Sequence, residues 1–333
     1  MLNPASWLRK VVYVESRQGQ IDTNVLLNFF HFSKDSLEEL EKVFVLQSYG
    51  KISLWLTDQV KLEFSRNRET KIADALKKFL DEKPNSGIPH VARGYPECDQ
   101  LMEALKQVNS SRELLMEKVR KDISEKSLYA DKLIEEIFAK STRIEFTEGQ
   151  FNAAKRRADL RSPPGKNNSL GDAINWEALL EVIPNSQDIF LVSEDGDFSS
   201  PLDPERLSNF LSEEWCTRKK SKAVLYKRLS QFLSINFPGA KVAAELEKDI
   251  LISELASSSN FAKTHQVISE LDCFASFSPK QASEIADAYI TNAQVGWIAS
   301  DEDVHAFGTK IQNAHSATLD PAQQKAFLGV LAK

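Results

Sequence analysis

Apolar positions recur along this chain in short blocks whose spacing switches between helix and strand periods. Val25, Leu26, Phe29 and Phe30 form one stripe at helical spacing, and Leu37, Leu40, Val43, Phe44 and Leu46 form another, which predicts two helices within residues 24–48. Gly50 interrupts the pattern. Lys51–Leu56 then alternates into an apolar end that predicts a buried strand, and Thr57 is placed to cap a helix carrying Val60, Glu63 and Phe64. Pro84, Gly87, Pro89, Gly94 and Pro96 mark 81–98 as a loop. From Asp99 to about Asn152 the chain is charged and poor in breakers. Leu101, Leu105, Val108, Leu115, Val119 and Ile123 recur there at helical spacing, which predicts two long helices whose heptads are too ragged for a coiled coil. Asp188–Ser193 encloses an unbroken apolar run that predicts a buried parallel strand. An earlier run, Val11–Val14, predicts a strand as well, followed by the polar segment Glu15–Gln20.

Beyond about Pro204 the pattern predicts helices and no further strand, in a tail of about five. Ser278-Pro279 and Asp320-Pro321 each place a cap before proline at the first helical position, and Ser300 with Asp303 reads as a capping box. Val267, Ile268, Leu271 and Phe274 make one apolar stripe, and Ile285, Ala288, Tyr289 and Ala293 make another. Packing of these helices on each other is the favoured use of the stripes; a partner or self-association surface is the alternative.

Composition narrows the classes. A formal net charge of −6 excludes a polyanion-binding footprint over the whole chain, so contact with nucleic acid has to come from local basic patches. Two exist. Lys155, Arg156, Arg157, Arg161 and Lys166 surround one acid, Asp159, and a second run extends from Arg218 to Arg228 without an acid. The three cysteines and five histidines form no zinc-ligand spacing. No signal peptide or membrane-length apolar run is evident, which predicts a soluble, cytoplasmic protein without membrane contact.

The acids carry the chemistry. Asp22-Thr23-Asn24 stands at the mouth of the first helix, Glu63 lies about one and a half turns into a later one, and Ser169-Leu170-Gly171-Asp172 opens another. Ser193-Glu194-Asp195-Gly196-Asp197 follows the buried strand, at the strand end where open α/β sheets bind ligands. Taken singly, Asp22 reads as an N-cap and Ser169-x-x-Asp172 as a capping box.

Taken in order, the four stretches resemble the PIN domain, a family of metal-dependent nucleases, and most of all its bacterial PIN-like branch with a helical insertion and a helical tail. The polar Glu15–Gln20 segment departs from the family's apolar first strand. The resemblance covers about residues 20–80 and 150–200. It implies an α/β fold, a three-layer α/β/α arrangement around a central, mostly parallel sheet. Residues 1–204 would be the nuclease domain, with the insertion at about 99–152, and 205–333 an all-α C-terminal domain. It implies Asp22, Glu63, Asp172 and Asp195 as catalytic acids and metal ligands, with Asp197 as a further ligand. Asn24 and Ser193 would support them, and Glu177 would either join them or pair with a cation. Lys155, Arg156, Arg157, Arg161 and Lys166 would bind substrate phosphates. Carboxylate-only ligation selects Mg²⁺ or Mn²⁺. The implied activity is endonucleolytic hydrolysis of phosphodiester bonds, with RNA favoured over DNA, in a toxin or antiviral defence setting. The alternatives are a flap-type DNA nuclease and a non-catalytic binding module. The implied partners are nucleic acid and, through the tail, a second copy or a regulatory protein.

Overall fold

A computed structural model of the protein describes residues 16–31, 35–81, 87–165 and 169–332. The expected strand at Val11–Val14, and Pro84 and Lys166, lie outside the described residues. Five parallel strands, β1 (Arg17–Ile21), β2 (Ile52–Thr57), β3 (Thr142–Ile144), β4 (Ile189–Val192) and β5 (Ala223–Tyr226), form one sheet in the order β3-β2-β1-β4-β5. Parallel strands need crossover connections, and helices supply them. The helices between the strands are α1 (Thr23–Asn28), α2 (Leu37–Ser48), α3 (Asp58–Asp81), α4 (Pro96–Glu125), α5 (Tyr129–Lys140), α6 (Glu148–Asp159), α7 (Leu170–Val182) and α8 (Asn209–Lys219). After β5 come α9 (Leu229–Asn236), α10 (Ala240–Ala256), α11 (Phe261–Asp272), α12 (Pro279–Thr291), α13 (Ala293–Trp297), α14 (Glu302–His315) and α15 (Pro321–Leu331).

Alternation along β4 shows the three layers. Phe190 and Val192 join a core shared with α2, α5 and the tail helices, while Ile189 and Leu191 join one built from Trp176, Leu179, Leu180 and Trp215 of α7 and α8. Successive strand residues face opposite sides, so both faces of the sheet are covered.

The most polar strand is the central one. β1 reads Arg-Gln-Gly-Gln-Ile, and two of its polar side chains have partners. Gln18 accepts from the Trp55 indole at 2.8 Å, and the Arg17 guanidinium lies 5.2 Å from the centre of the Phe190 ring. At Gly19 an added Cβ would come within 3.1 Å of Leu54 Cδ2, so glycine lets β1 and β2 pack closely. The departure from an apolar first strand is thus real and is satisfied in part, since Arg17 Nε is buried without a hydrogen-bond partner.

Several expectations need correction. The insertion contains α4 and α5 but also the short strand β3 and the start of α6, because Thr142–Ile144 pairs with Trp55–Thr57 at the sheet edge. A strand does follow residue 204: β5 pairs with the whole of β4, so the sheet extends past that point. Eight helices, α8 to α15, follow residue 204 among the described residues, not about five. The Ser300–Asp303 capping box is absent; Asp301 is the N-cap of α14, and Asp303 instead accepts from His265 at 2.8 Å. The stripe Val267, Ile268, Leu271, Phe274 is fully buried, as are Ile285, Ala288 and Tyr289, whereas Ala293 is exposed because it begins α13. The Ser278 and Asp320 caps form as the sequence predicts.

Candidate metal centre

The C-terminal ends of β1 and β4, side by side in the sheet, bring the first two groups of acids together. Asp22 leaves β1 with extended backbone, and its amide donates to Val192 O at 2.9 Å, which fixes the two strand ends to each other. Its carboxylate accepts from the Thr23 amide at 2.6 Å and from the Ser193 hydroxyl at 2.5 Å. Asp22 is therefore both the N-cap of α1 and a member of the acid cluster. Ser193 in turn accepts from the Asp195 amide at 3.1 Å, and Asp195 Oδ1 accepts from the Asp197 amide at 2.7 Å. These bonds form a tight polar turn that holds the Asp195 and Asp197 carboxylates beside the end of β1 that carries Asp22.

Helix α7 brings in Asp172. Ser169 makes no capping hydrogen bond to the backbone; its hydroxyl donates to the Asp172 carboxylate. The capping box is therefore not formed. Gly171 has its own reason: a Cβ there would sit 2.8 Å from Gln59 Nε2 and 3.5 Å from Glu63 Oε2. The bare backbone lets the start of α7 approach the face of α3 that carries Glu63. The Thr57 hydroxyl accepts from the Val60 amide at 3.2 Å, capping α3, and itself donates to Asn175, which locks α7 to the end of β2.

One carboxylate oxygen from each of Asp172, Asp195 and Asp197 lies within 4.8 Å of the others. Asp22 and Glu63 stand outside that trio but line the same cleft, of about 300 Å³, with Asp172 and Asp195. The electrostatics are those of crowded, buried anions. Burial pushes Asp172 up to about 8, with the charge on Asp22 next in weight and the Ser169 hydrogen bond opposing. Burial likewise pushes Asp22 up to about 6, against the pull of its bonds to Ser193 and Thr23. Such a cluster is unfavourable until a cation compensates it. Its donors are all oxygens, which suits a hard divalent ion rather than zinc.

Of the supporting residues, Ser193 orients Asp22 directly, and Asn24 Oδ1 accepts from the Glu194 amide at 3.5 Å. Glu177 is not in the cluster. It takes a pair of bonds from Arg157 and a longer one, at 3.5 Å, from Arg218. Arg157 is correspondingly removed from the substrate-facing set: it is buried, pairs with Glu177 and Glu214, and donates to Pro163 O. Lys155, Arg156 and Arg161 remain exposed. The Pro163–Gly165 turn that Arg157 holds sends the Gly165 amide to Asp197 at 3.1 Å. In the second basic run, Lys219 is buried and donates to backbone carbonyls.

Asn67, Thr70, Lys71 and Asp74 also line the cleft and were missed. The signal was present, since these residues follow Glu63 at intervals of three and four along one face of α3.

A family model described as a PIN domain matches residues 20–198. No curated protein and no solved structure matches the chain. Matched over more than half its length and carrying the expected parallel sheet with acids at its strand ends, this chain belongs to the PIN domain family.

Proposed function

We propose that the protein is a metal-dependent endoribonuclease. PIN domains are generally nucleases and typically use divalent metals. The observation that carries the reading is the trio Asp172, Asp195 and Asp197, its carboxylate oxygens within 4.8 Å of one another, with Asp172 and Asp195 sharing one cleft with Asp22 and Glu63. Asp22, Glu63, Asp172 and Asp195 hold Mg²⁺ or Mn²⁺, and Asp197 completes the set or orients Asp195. A bound cation supplies charge compensation for an in-line displacement at phosphorus. The rest is the work of the chain. Ser193 and the Thr23 amide fix the Asp22 carboxylate, Ser169 fixes Asp172, and the Asp197 amide fixes Asp195. Lys155, Arg156 and Arg161 hold the flanking phosphates. RNA is preferred to DNA, and the tail serves to complete the fold. A toxin or defence role in the cytoplasm is in keeping with this chemistry. No helix among the described residues is long and apolar enough to cross a membrane.

The experiment is cleavage of labelled single-stranded RNA, tRNA and branched DNA with Mn²⁺, Mg²⁺ or EDTA. RNA cleavage that needs metal and is lost in Asp22→Asn and Asp195→Asn supports the reading. Cleavage of branched DNA alone would favour a flap-type nuclease instead. Cleavage that persists in EDTA would reject the metal mechanism.

A further inference from the structure

The turn Ser193–Asp197 carries two of the three clustered carboxylates, and most of its hydrogen bonds stay within the family-matched segment. Other ties come from beyond residue 198: the Ser199 hydroxyl donates to Asp195 O at 3.3 Å, and β5 and the residue after it supply the rest. Lys227, just past β5 and well beyond residue 198, donates from Nζ to Asp195 O at 2.9 Å and to Glu194 O at 3.3 Å. Its own place is fixed from two sides. The adjacent Tyr226 carbonyl accepts from the Ser193 amide at 3.0 Å, and the Lys227 amide donates to Gln231 Oε1 at 3.1 Å. Helix α9, which carries Gln231, is anchored in turn by Asp35, whose carboxylate accepts from the Leu229 amide at 2.8 Å and from the Ser230 hydroxyl.

We propose that Lys227 is a positioning residue of the metal centre, holding the Asp195 turn in its ligating shape through two backbone carbonyls. This rests on the nuclease reading above. One ammonium gripping two successive carbonyls restricts the peptide between them, and that peptide sets where the Asp195 carboxylate points. Partners that orient metal ligands typically carry about 10–100-fold in metal affinity. The half-buried Lys227 also feels the charges of Asp195, Glu205, Glu194 and Asp22, so its charge and its hydrogen bonds pull Mn²⁺ affinity in opposite directions. As a mere positive charge it repels a cation, and its removal would tighten Mn²⁺ binding. As a clamp it preorganises the ligands, and its removal weakens binding. The sign of the change decides.

The test titrates Mn²⁺ calorimetrically into the full-length wild type, Lys227→Met and Lys227→Arg, with thermal melts in EDTA as the control for folding. The expected result is Mn²⁺ affinity at least about 10-fold weaker in Lys227→Met. Lys227→Arg, which keeps two donors, should fall between it and wild type. Melting temperatures in EDTA should stay together. Unchanged or tighter Mn²⁺ binding in Lys227→Met overturns the proposal while leaving the nuclease reading intact. Weakening that merely tracks a lower melting temperature, with Lys227→Arg equally impaired, overturns it too, because the residue would then be structural. Wild-type protein that binds no Mn²⁺ overturns both.

Discussion

Replacing Asp172 by Asn should stabilise the metal-free protein, and the gain should depend on pH. Asp172 is raised from an ordinary 3.8 to about 8. At pH 7 the unfolded chain releases this proton while the folded one holds it. Stability contributed by the group is therefore complete below about pH 4 and is lost as pH rises toward 8. From 3.8 to pH 7 the loss amounts to about 4 kcal/mol. Asn removes the charge and keeps an acceptor for the Ser169 hydroxyl, but its NH₂ enters without a partner, at about 1–2 kcal/mol. A net gain of about 2–3 kcal/mol at pH 7 follows, or roughly 4–6 °C at about 2 °C per kcal/mol. At pH 5 the ionisation cost falls below about 2 kcal/mol and cancels against the unpaired NH₂. Thermal melts of both proteins in EDTA at pH 5, 7 and 8 measure this directly. A difference in melting temperature that does not change between pH 5 and 8 would refute the argument, since the acid would then not be held protonated by its surroundings.

Other consequences can be checked in parallel. Mn²⁺ affinity should rise from pH 6 to about 8, because the ion must displace the Asp172 proton, and calorimetry in buffers of different ionisation enthalpy should detect its release. Arg157→Met should cost about 3 kcal/mol by leaving buried Glu177 with only its longer bond from Arg218 and taking one partner from half-buried Glu214, measured by urea unfolding; a loss under about 1 kcal/mol would mean that the pairs are dispensable. Neutralising Lys155, Arg156 and Arg161 together should leave stability unchanged but reduce the salt slope of RNA binding by up to about 2, at about 0.7 for each phosphate no longer neutralised. A fragment ending at residue 204 should be insoluble, because it lacks β5 and the tail side chains that cover Phe190 and Val192.

The sequence made the acids legible because they sit at punctuation: caps and strand ends have residue preferences that survive without an alignment. Asp22, Asp172 and Asp195 stood at such points and Glu63 a turn and a half past one, and all four line the cleft. What stayed hidden was short or satisfied from a distance. β5 is only Ala-Val-Leu-Tyr, four residues set in a cationic stretch, and it is a strand because β4 offers it an edge. β1 looked too polar for a central strand until Trp55 and Phe190 supplied partners. Arg157 looked like its basic neighbours, and only the fold turns it inward toward two glutamates.

The order of strands in the sheet also governs when activity can begin. β1 pairs with β2, made about thirty residues later, but its other neighbour, β4, is about 170 residues downstream, and β5 follows later still. At about 5–20 residues per second, Asp22 leaves the ribosome many seconds before Asp172, Asp195 and the Lys227 tie exist. A half-made chain cannot assemble the acid cluster, so the reactive centre forms only when most of the polypeptide is present.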